Sequence, residues 1–386
     1  MIWVLRAGLA LAASSLVAVS GAWAQGAKLQ DTLSATAYET GTSGFAIAVA
    51  VGQMLKAKHG TDLRVLPAGN DVARLAPLRV NRAQISAMGI GIYFAQEGVL
   101  EFAVKEWGPQ PLRVILTATS CNGLSLGAAG DAGIKEMKDM RGKRLGTVRG
   151  APALNQGAFA VLAYGGLTPK DVTLVEFSSN GAMWKGMLNN EIDMAFTSTI
   201  SGPTKEVENS PRGIAWPTTP SADKDGWARV AKVAPYFFPH KATCGSGFAK
   251  GETRELPAYP YPIFMAYGQL AADQVQALTK SMLDHYAEYK DAAPGADGLE
   301  GKRQKLDWIV PFHAGAVAAL KDAGLWNDAA QKHNDALMKR QDTLVAAWQE
   351  LVKSKVPDDK DAFRAAWMTA RVAALTKAGF EPVFVE

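Results

Sequence analysis

The run Gly123-Leu124-Ser125-Leu126-Gly127 is the stretch of this chain that matches a catalytic pattern, the Gly-x-Ser-x-Gly turn that exposes a serine nucleophile between a strand and a helix. That turn needs a helix to begin at the serine. Here Gly127, Gly130 and Gly133 follow and delay helix formation until about Ile134. The alternation of Leu124 and Leu126 around Ser125 reads instead as a strand, so no catalytic residue is expected. The five histidines, His59, His240, His285, His313 and His333, are scattered, with no pair at ligand spacing on one helix and no Cys-x-x-Cys, which speaks against a metal site. Neither a Gly-x-x-x-x-Gly-Lys loop nor a Gly-x-Gly-x-x-Gly fingerprint occurs, and Gly89-Ile90-Gly91 is too short to stand for one. No cofactor is expected.

What the residue types do suit is binding. Three loops, Gly41-Thr42-Ser43-Gly44, Gly69-Asn70-Asp71 and Arg149-Gly150-Ala151-Pro152, each follow an expected strand and open an expected helix. In an open α/β sheet that places them at the carboxyl edge, where ligands sit. Helix N-termini there carry unpaired N–H groups and partial positive charge, so they attract carboxylate or phosphate oxygens, and Arg149 would add a charge-assisted contact. Ser178-Ser179-Asn180 and Ser198-Thr199 offer further hydroxyl and amide partners, whereas Trp184, beside Met183, Met187 and Leu188, reads as core.

The elements that must hold these loops alternate. Strand Leu33 to Tyr38 precedes an apolar helix from Phe45 to Lys56; strand Asp62 to Pro67 precedes a short helix ending near Val80; Ile85 to Ile90 follows as a strand. A second set repeats the plan, with strands Arg144 to Val148, Val172 to Phe177 and Ile192 to Thr197 separated by helices. This order predicts α/β architecture in two lobes with mostly parallel sheets. Leu112 to Thr119 would carry the chain across and the stretch around Lys241 to Phe248 would bring it back, a double crossing that makes a hinge. Ser201 to Ala234, with Pro203, Pro211, Pro217 and Pro220, reads as loop. Beyond Gly324, apolar residues at helical spacing predict two amphipathic helices, lying as a hairpin against one lobe or forming a surface for a partner.

Arg6, an apolar run from Ala7 to Val19 and Ala22-Trp23-Ala24 form the pattern of a secretory signal peptide cleaved after Ala24, which predicts a periplasmic protein. In the chain of 386 residues, 48% hydrophobic and 20% charged residues are ordinary globular values. The net charge of +4 is spread rather than blocked, so nothing calls for a nucleic acid. After export Cys121 and Cys244 would either pair as a disulfide or stay as buried thiols; sequence leaves both open.

Several segments together resemble the TAXI family of solute-binding proteins of TRAP (tripartite ATP-independent periplasmic) transporters, over about residues 31 to 326. They are Thr40-Gly41-Thr42-Ser43-Gly44 before an apolar helix; Pro67-Ala68-Gly69-Asn70-Asp71; Met140-Arg141-Gly142-Lys143-Arg144-Leu145; Gly166-Leu167-Thr168-Pro169-Lys170-Asp171-Val172; and Val310-Pro311-Phe312-His313-Ala314-Gly315-Ala316 with Lys321-Asp322-Ala323-Gly324-Leu325-Trp326. The resemblance implies a type II periplasmic-binding-protein fold, a hinged cleft, and delivery of a small organic solute to a membrane permease driven by an ion gradient. It carries the contacts onto Thr42, Ser43, Gly69, Asn70, Asp71 and the loop from Arg149 to Asn155. That loop departs from the family's Gly/Ser/Thr-rich pattern, and the helical tail lies outside it.

The expected layout is a signal peptide over 1–24, lobe I over 25–119 and 245–326, lobe II over 120–244, and a C-terminal helical extension over 327–386. The expected protein is a monomeric, non-enzymatic receptor for a small anionic carboxylate or amino acid, handing it to a TRAP permease. A periplasmic hydrolase using Ser125, and a sensory or scaffold protein binding through the C-terminal helices, are the alternatives.

Overall fold

The computed structural model describes residues 28–354, 356 and 358–385, so the segment read as a signal peptide lies outside the described residues. Lobe I begins with β1 (Thr32–Tyr38), α1 (Ser43–His59), β2 (Asp62–Ala68), α2 (Asp71–Arg79), β3 (Ile85–Met88), α3 (Gly91–Glu97) and β4 (Leu112–Thr117). The chain then enters lobe II: β5 (Leu124–Ala129), β6 (Arg144–Val148), α4 (Pro152–Tyr164), β7 (Thr173–Phe177), α5 (Asn180–Leu188), β8 (Met194–Ser198), α6 (Gly202–Glu208), β9 (Ile214–Ala215) and α7 (Lys224–Val233). An antiparallel ribbon of β10 (Phe238–Ala242) and β11 (Arg254–Ala258) leads back to β12 (Ile263–Tyr267), α8 (Ala272–Asp284), α9 (Tyr286–Tyr289) and α10 (Ala314–Asp322). The tail is α11 (Asp328–Lys353) and α12 (Lys360–Lys377).

The lobe I sheet has the order β2-β1-β3-β12-β4 and the lobe II sheet β7-β6-β8-β5-β9. In each, three parallel strands built from βαβ units are followed by one strand antiparallel to them, β12 in the first and β5 in the second, and then by an edge strand antiparallel to that one, β4 and β9. This is the type II periplasmic-binding-protein arrangement, with a helical extension added. Helices covering both faces explain why β3, β4, β5, β8 and β12 are buried at every residue.

Cys121, just past β4, and Cys244, just past β10, form a disulfide with Cα atoms 5.5 Å apart. Thr243 N–H donates to the Cys121 carbonyl at 2.9 Å, so the outgoing crossing is tied to the segment that precedes the return. The stretch read as loop, Ser201 to Ala234, contains α6 and α7. Pro203 stands in the first turn of α6, where its missing N–H costs nothing, so this proline opens a helix.

Of the two expectations for the tail, the hairpin against one lobe is what forms. Leu344, Phe363, Trp367 and Leu375 are buried together with Ala103 of lobe I. Glu97, fully buried at the end of α3, accepts from Arg340 Nε at 2.6 Å and Nη2 at 2.8 Å and also pairs with the fully buried Arg371. The same arginines donate to the Glu381 and Val383 carbonyls at 2.9 and 2.7 Å, laying the last residues back over lobe I.

Candidate functional site

Each cleft loop follows a parallel strand, so its backbone leaves the sheet at the carboxyl edge and turns into a helix. At the end of β1, Gly41 adopts φ of 91°, and Thr42 then stands at the start of α1. The Thr42 hydroxyl makes no capping bond; Oγ1 is buried with no partner. At the start of α2, Asn70 accepts from Ala73 N–H at 2.8 Å as an N-cap. Asp71, the next residue, is fully buried and paired with the fully buried Arg74 one turn later. Tyr38 donates its hydroxyl to Asp71 Oδ1 at 3.0 Å, and the Arg74 guanidinium lies 3.6 Å from the Tyr38 ring centroid. Burial pulls the Arg74 guanidinium down, but Tyr38 and Asp71 beside it outweigh burial and leave it above its ordinary value.

A cavity lies where these lobe I residues meet lobe II. Tyr38, Tyr259 and Tyr261 from lobe I and the return crossing face Phe196, Leu124 and Leu154 from lobe II. Burial raises all three tyrosine hydroxyls above their ordinary range, so they remain protonated donors. Thr42, Asn180, Thr197, Ser198 and Ser201 supply the polar lining. The enclosed space is about 20 Å³, on the scale of a single water. In this form the lobes are closed.

What closes them is a set of hydrogen bonds between lobes. Gly202 N–H donates to the Gly41 carbonyl at 3.0 Å, Asn180 N–H to the Gly69 carbonyl at 3.0 Å, and Val72 N–H to the Gly150 carbonyl at 3.1 Å. Two carboxylates add charge-assisted bonds: Ala153 N–H at the start of α4 donates to Asp71 Oδ2 at 2.7 Å, and Gly181 N–H at the start of α5 donates to both Glu39 oxygens, at 3.1 and 3.0 Å.

These bonds bear on two of the three loops read as a site for an anion: an N–H group of α2 and one of α4 are already taken by the opposite lobe. The loops do converge on one gap, but the N–H groups of α4 and α5 that would grip an anion are taken by Asp71 and Glu39 of the opposite lobe. The expectation for Arg149 is corrected: its side chain is 80% exposed and bonded to Glu176 at 2.5 and 2.9 Å, because the loop turns it outward beside β7. Asn155 is turned back on its own loop, accepting from Val148 N–H at 2.9 Å and donating to the Val148 carbonyl at 3.0 Å. Thr199 braces the crossing, accepting from Gly123 N–H and donating to the Cys244 carbonyl at 2.8 Å.

Of the other expected contacts, Thr42 and Ser198 line the cavity, with Ser198 accepting from Asn122 at 2.9 Å. Ser43 is buried beside them, next to Tyr261. Gly69 and Asn70 meet lobe II at its rim: a Cβ on Gly69 would lie 2.6 Å from Ser179 Cβ, and one on Gly150 3.3 Å from the Asn70 amide. Sequence reasoning missed Tyr38, Phe196, Tyr259 and Tyr261. The repeat Tyr259-Pro260-Tyr261-Pro262 was the available signal, since prolines fix an extended backbone that displays its aromatic residues. Ser125 is fully buried in β5 and its Oγ has no partner, so the base that a serine nucleophile requires is not there and the hydrolase alternative fails. Among the described residues no three His, Cys, Asp or Glu side chains gather as metal ligands, and no helix is long and apolar enough to cross a membrane.

A sequence model of the NMT1-like family matches residues 35–324. No curated protein matches the chain. Among solved structures, an ancestral arginine-binding protein bound to arginine is similar at 13% identity and a TM-score of 0.42, covering 68% of this chain and 97% of that one. The alkanesulfonate-binding protein SsuA from Xanthomonas axonopodis pv. citri, bound to MOPS, is similar at 16% identity and a TM-score of 0.39, covering 81% of this chain and 85% of the other. A protein from Bordetella bronchiseptica RB50 aligns over 91% of this chain and 98% of its own, at 13% identity and a TM-score of 0.41.

Proposed function

The chain belongs to the NMT1-like family, and from that premise we propose that it is an exported periplasmic receptor that closes two lobes over a small organic solute and hands it to a membrane permease. The observation that carries this reading is the cavity itself: both lobes line it, and the bonds that seal it run from one lobe to the other. Space for about one water cannot admit an organic solute, so entry requires the lobes to part. A solute that bridges Thr42 and the tyrosines on one side and Asn180, Thr197 and Ser201 on the other then favours the closed form through its extra contacts there. Cys121–Cys244 holds the crossings together while the lobes move.

The segments that resemble TAXI proteins support a TRAP permease as the recipient, with the closed lobes as the surface that the permease reads. Spin labels on exposed Arg64 of β2 and Lys170 of lobe II test the receptor reading. In the presence of periplasmic extract their separation should shorten and narrow to one distance. A separation that ignores every small-molecule fraction sinks the reading.

A further inference from the structure

The lining of the cavity contains no Lys, Arg, Asp, Glu or His. The charged groups immediately behind it are committed elsewhere. Asp71 and Arg74 are fully buried and paired, and Asp71 accepts further bonds from Tyr38 and Ala153. Glu39 is held at the start of α5. Backbone N–H groups at the starts of α2, α5 and α6 are likewise spent, Val72 on Gly150, Asn180 on Gly69 and Gly202 on Gly41. By contrast, the Thr42 hydroxyl is buried without a partner, and Asn180, Thr197 and Ser201 offer both donors and acceptors.

From this we infer that the solute is uncharged, a small polyol, amide or carbonyl compound whose oxygens bond the Thr42 hydroxyl and the Asn180 amide. An ion drawn into this closed site would lose its water and meet no opposite charge, and uncharged hydroxyls do not offset that loss. Opening the lobes does not rescue an anion. Tyr38 and Arg74 hold Asp71 from its own lobe, so the carboxylate travels with lobe I and returns to the start of α4 on closure. An anion seated there would face it as a like charge. A cation gains little, because Arg74 already neutralises Asp71.

The inference rests on the receptor reading, and matched probes test it separately. Thermal shifts are measured with glycerol, erythritol, acetamide and succinamide, each beside its ionised counterpart: glycerol 3-phosphate, erythronate, acetate and succinate. Uncharged probes should raise the melting temperature of the wild-type protein and their ionised partners should not, a discrimination of at least tenfold in Kd. Thr42→Val, which removes no helix cap because the hydroxyl makes none, should weaken the responding probe roughly tenfold without lowering the melting temperature of the free protein. An equal or larger response to the ionised members overturns the inference and leaves the receptor reading standing. So does silence from every uncharged probe in a protein whose spin-labelled lobes still close on extract. Lobes that never move defeat the receptor reading itself.

Discussion

Asp71 of lobe I accepts a 2.7 Å hydrogen bond from the backbone N–H of Ala153, the second residue of a lobe II helix, 82 positions along the chain. One carboxylate thereby joins the lobes, neutralises Arg74 and takes the partial positive charge of a helix start. The closed form does not depend on a solute anion to satisfy that helix.

Asp71→Asn keeps the shape and removes the charge. It leaves Arg74 buried without its counter-ion, so stability should fall by about 3–5 kcal/mol in urea denaturation. If the variant folds, hydrogen exchange at the Ala153 amide should accelerate more than exchange in β3. Equal changes at both would remove the carboxylate from its role between the lobes.

Gly202→Ala is a wedge. A Cβ there would lie 2.4 Å from the Gly41 carbonyl oxygen of the other lobe, too close for two backbones to accommodate. Lobe II itself should fold as before, since the residue begins α6 with helical geometry open to alanine. The label separation between Arg64 and Lys170 should lengthen, with little loss of melting temperature.

Glu97→Ala leaves two guanidinium groups, Arg340 and Arg371, without their shared carboxylate. A loss of about 3–5 kcal/mol is expected, with the tail exchanging its amide protons faster than either sheet. Urea unfolding followed by hydrogen exchange distinguishes this local detachment from general destabilisation.

Replacing Cys121 and Cys244 together by serine frees a crossing whose ends are 123 residues apart. Chain-entropy arguments for a loop of this length give a loss of about 5 kcal/mol. Wild-type protein in reductant should show the same midpoint as the double variant in denaturant titration.

Glu101 supplies a pH dependence. Burial lifts its carboxyl to about 7, from an ordinary 4.5. Between those values the folded chain holds a proton that the unfolded chain has released, so stability falls as pH rises. The contribution is complete below pH 4.5 and lost above pH 7. Melting temperatures at pH 5 and pH 8 should differ less in Glu101→Gln than in the wild-type protein.

The sequence by itself determined the alternating strands and helices, because β1, β2, β6 and β7 and the helices after them are set by local periodicity and by caps such as Asn70. It also marked the loops that meet across the gap, since a parallel strand followed by a helix must turn at the sheet's carboxyl edge. Tertiary structure decided what those loops hold. The groups that fill the starts of α4 and α5, Asp71 and Glu39, lie 82 and 142 residues from their partners, a distance at which no spacing rule operates. Arg149 looked like an anion clamp because its neighbours in sequence form a helix start; its actual partner, Glu176, comes from the adjacent strand and turns it to solvent. Which polar groups remain free in a cleft depends on what the opposite lobe has already satisfied, and only the folded chain fixes that.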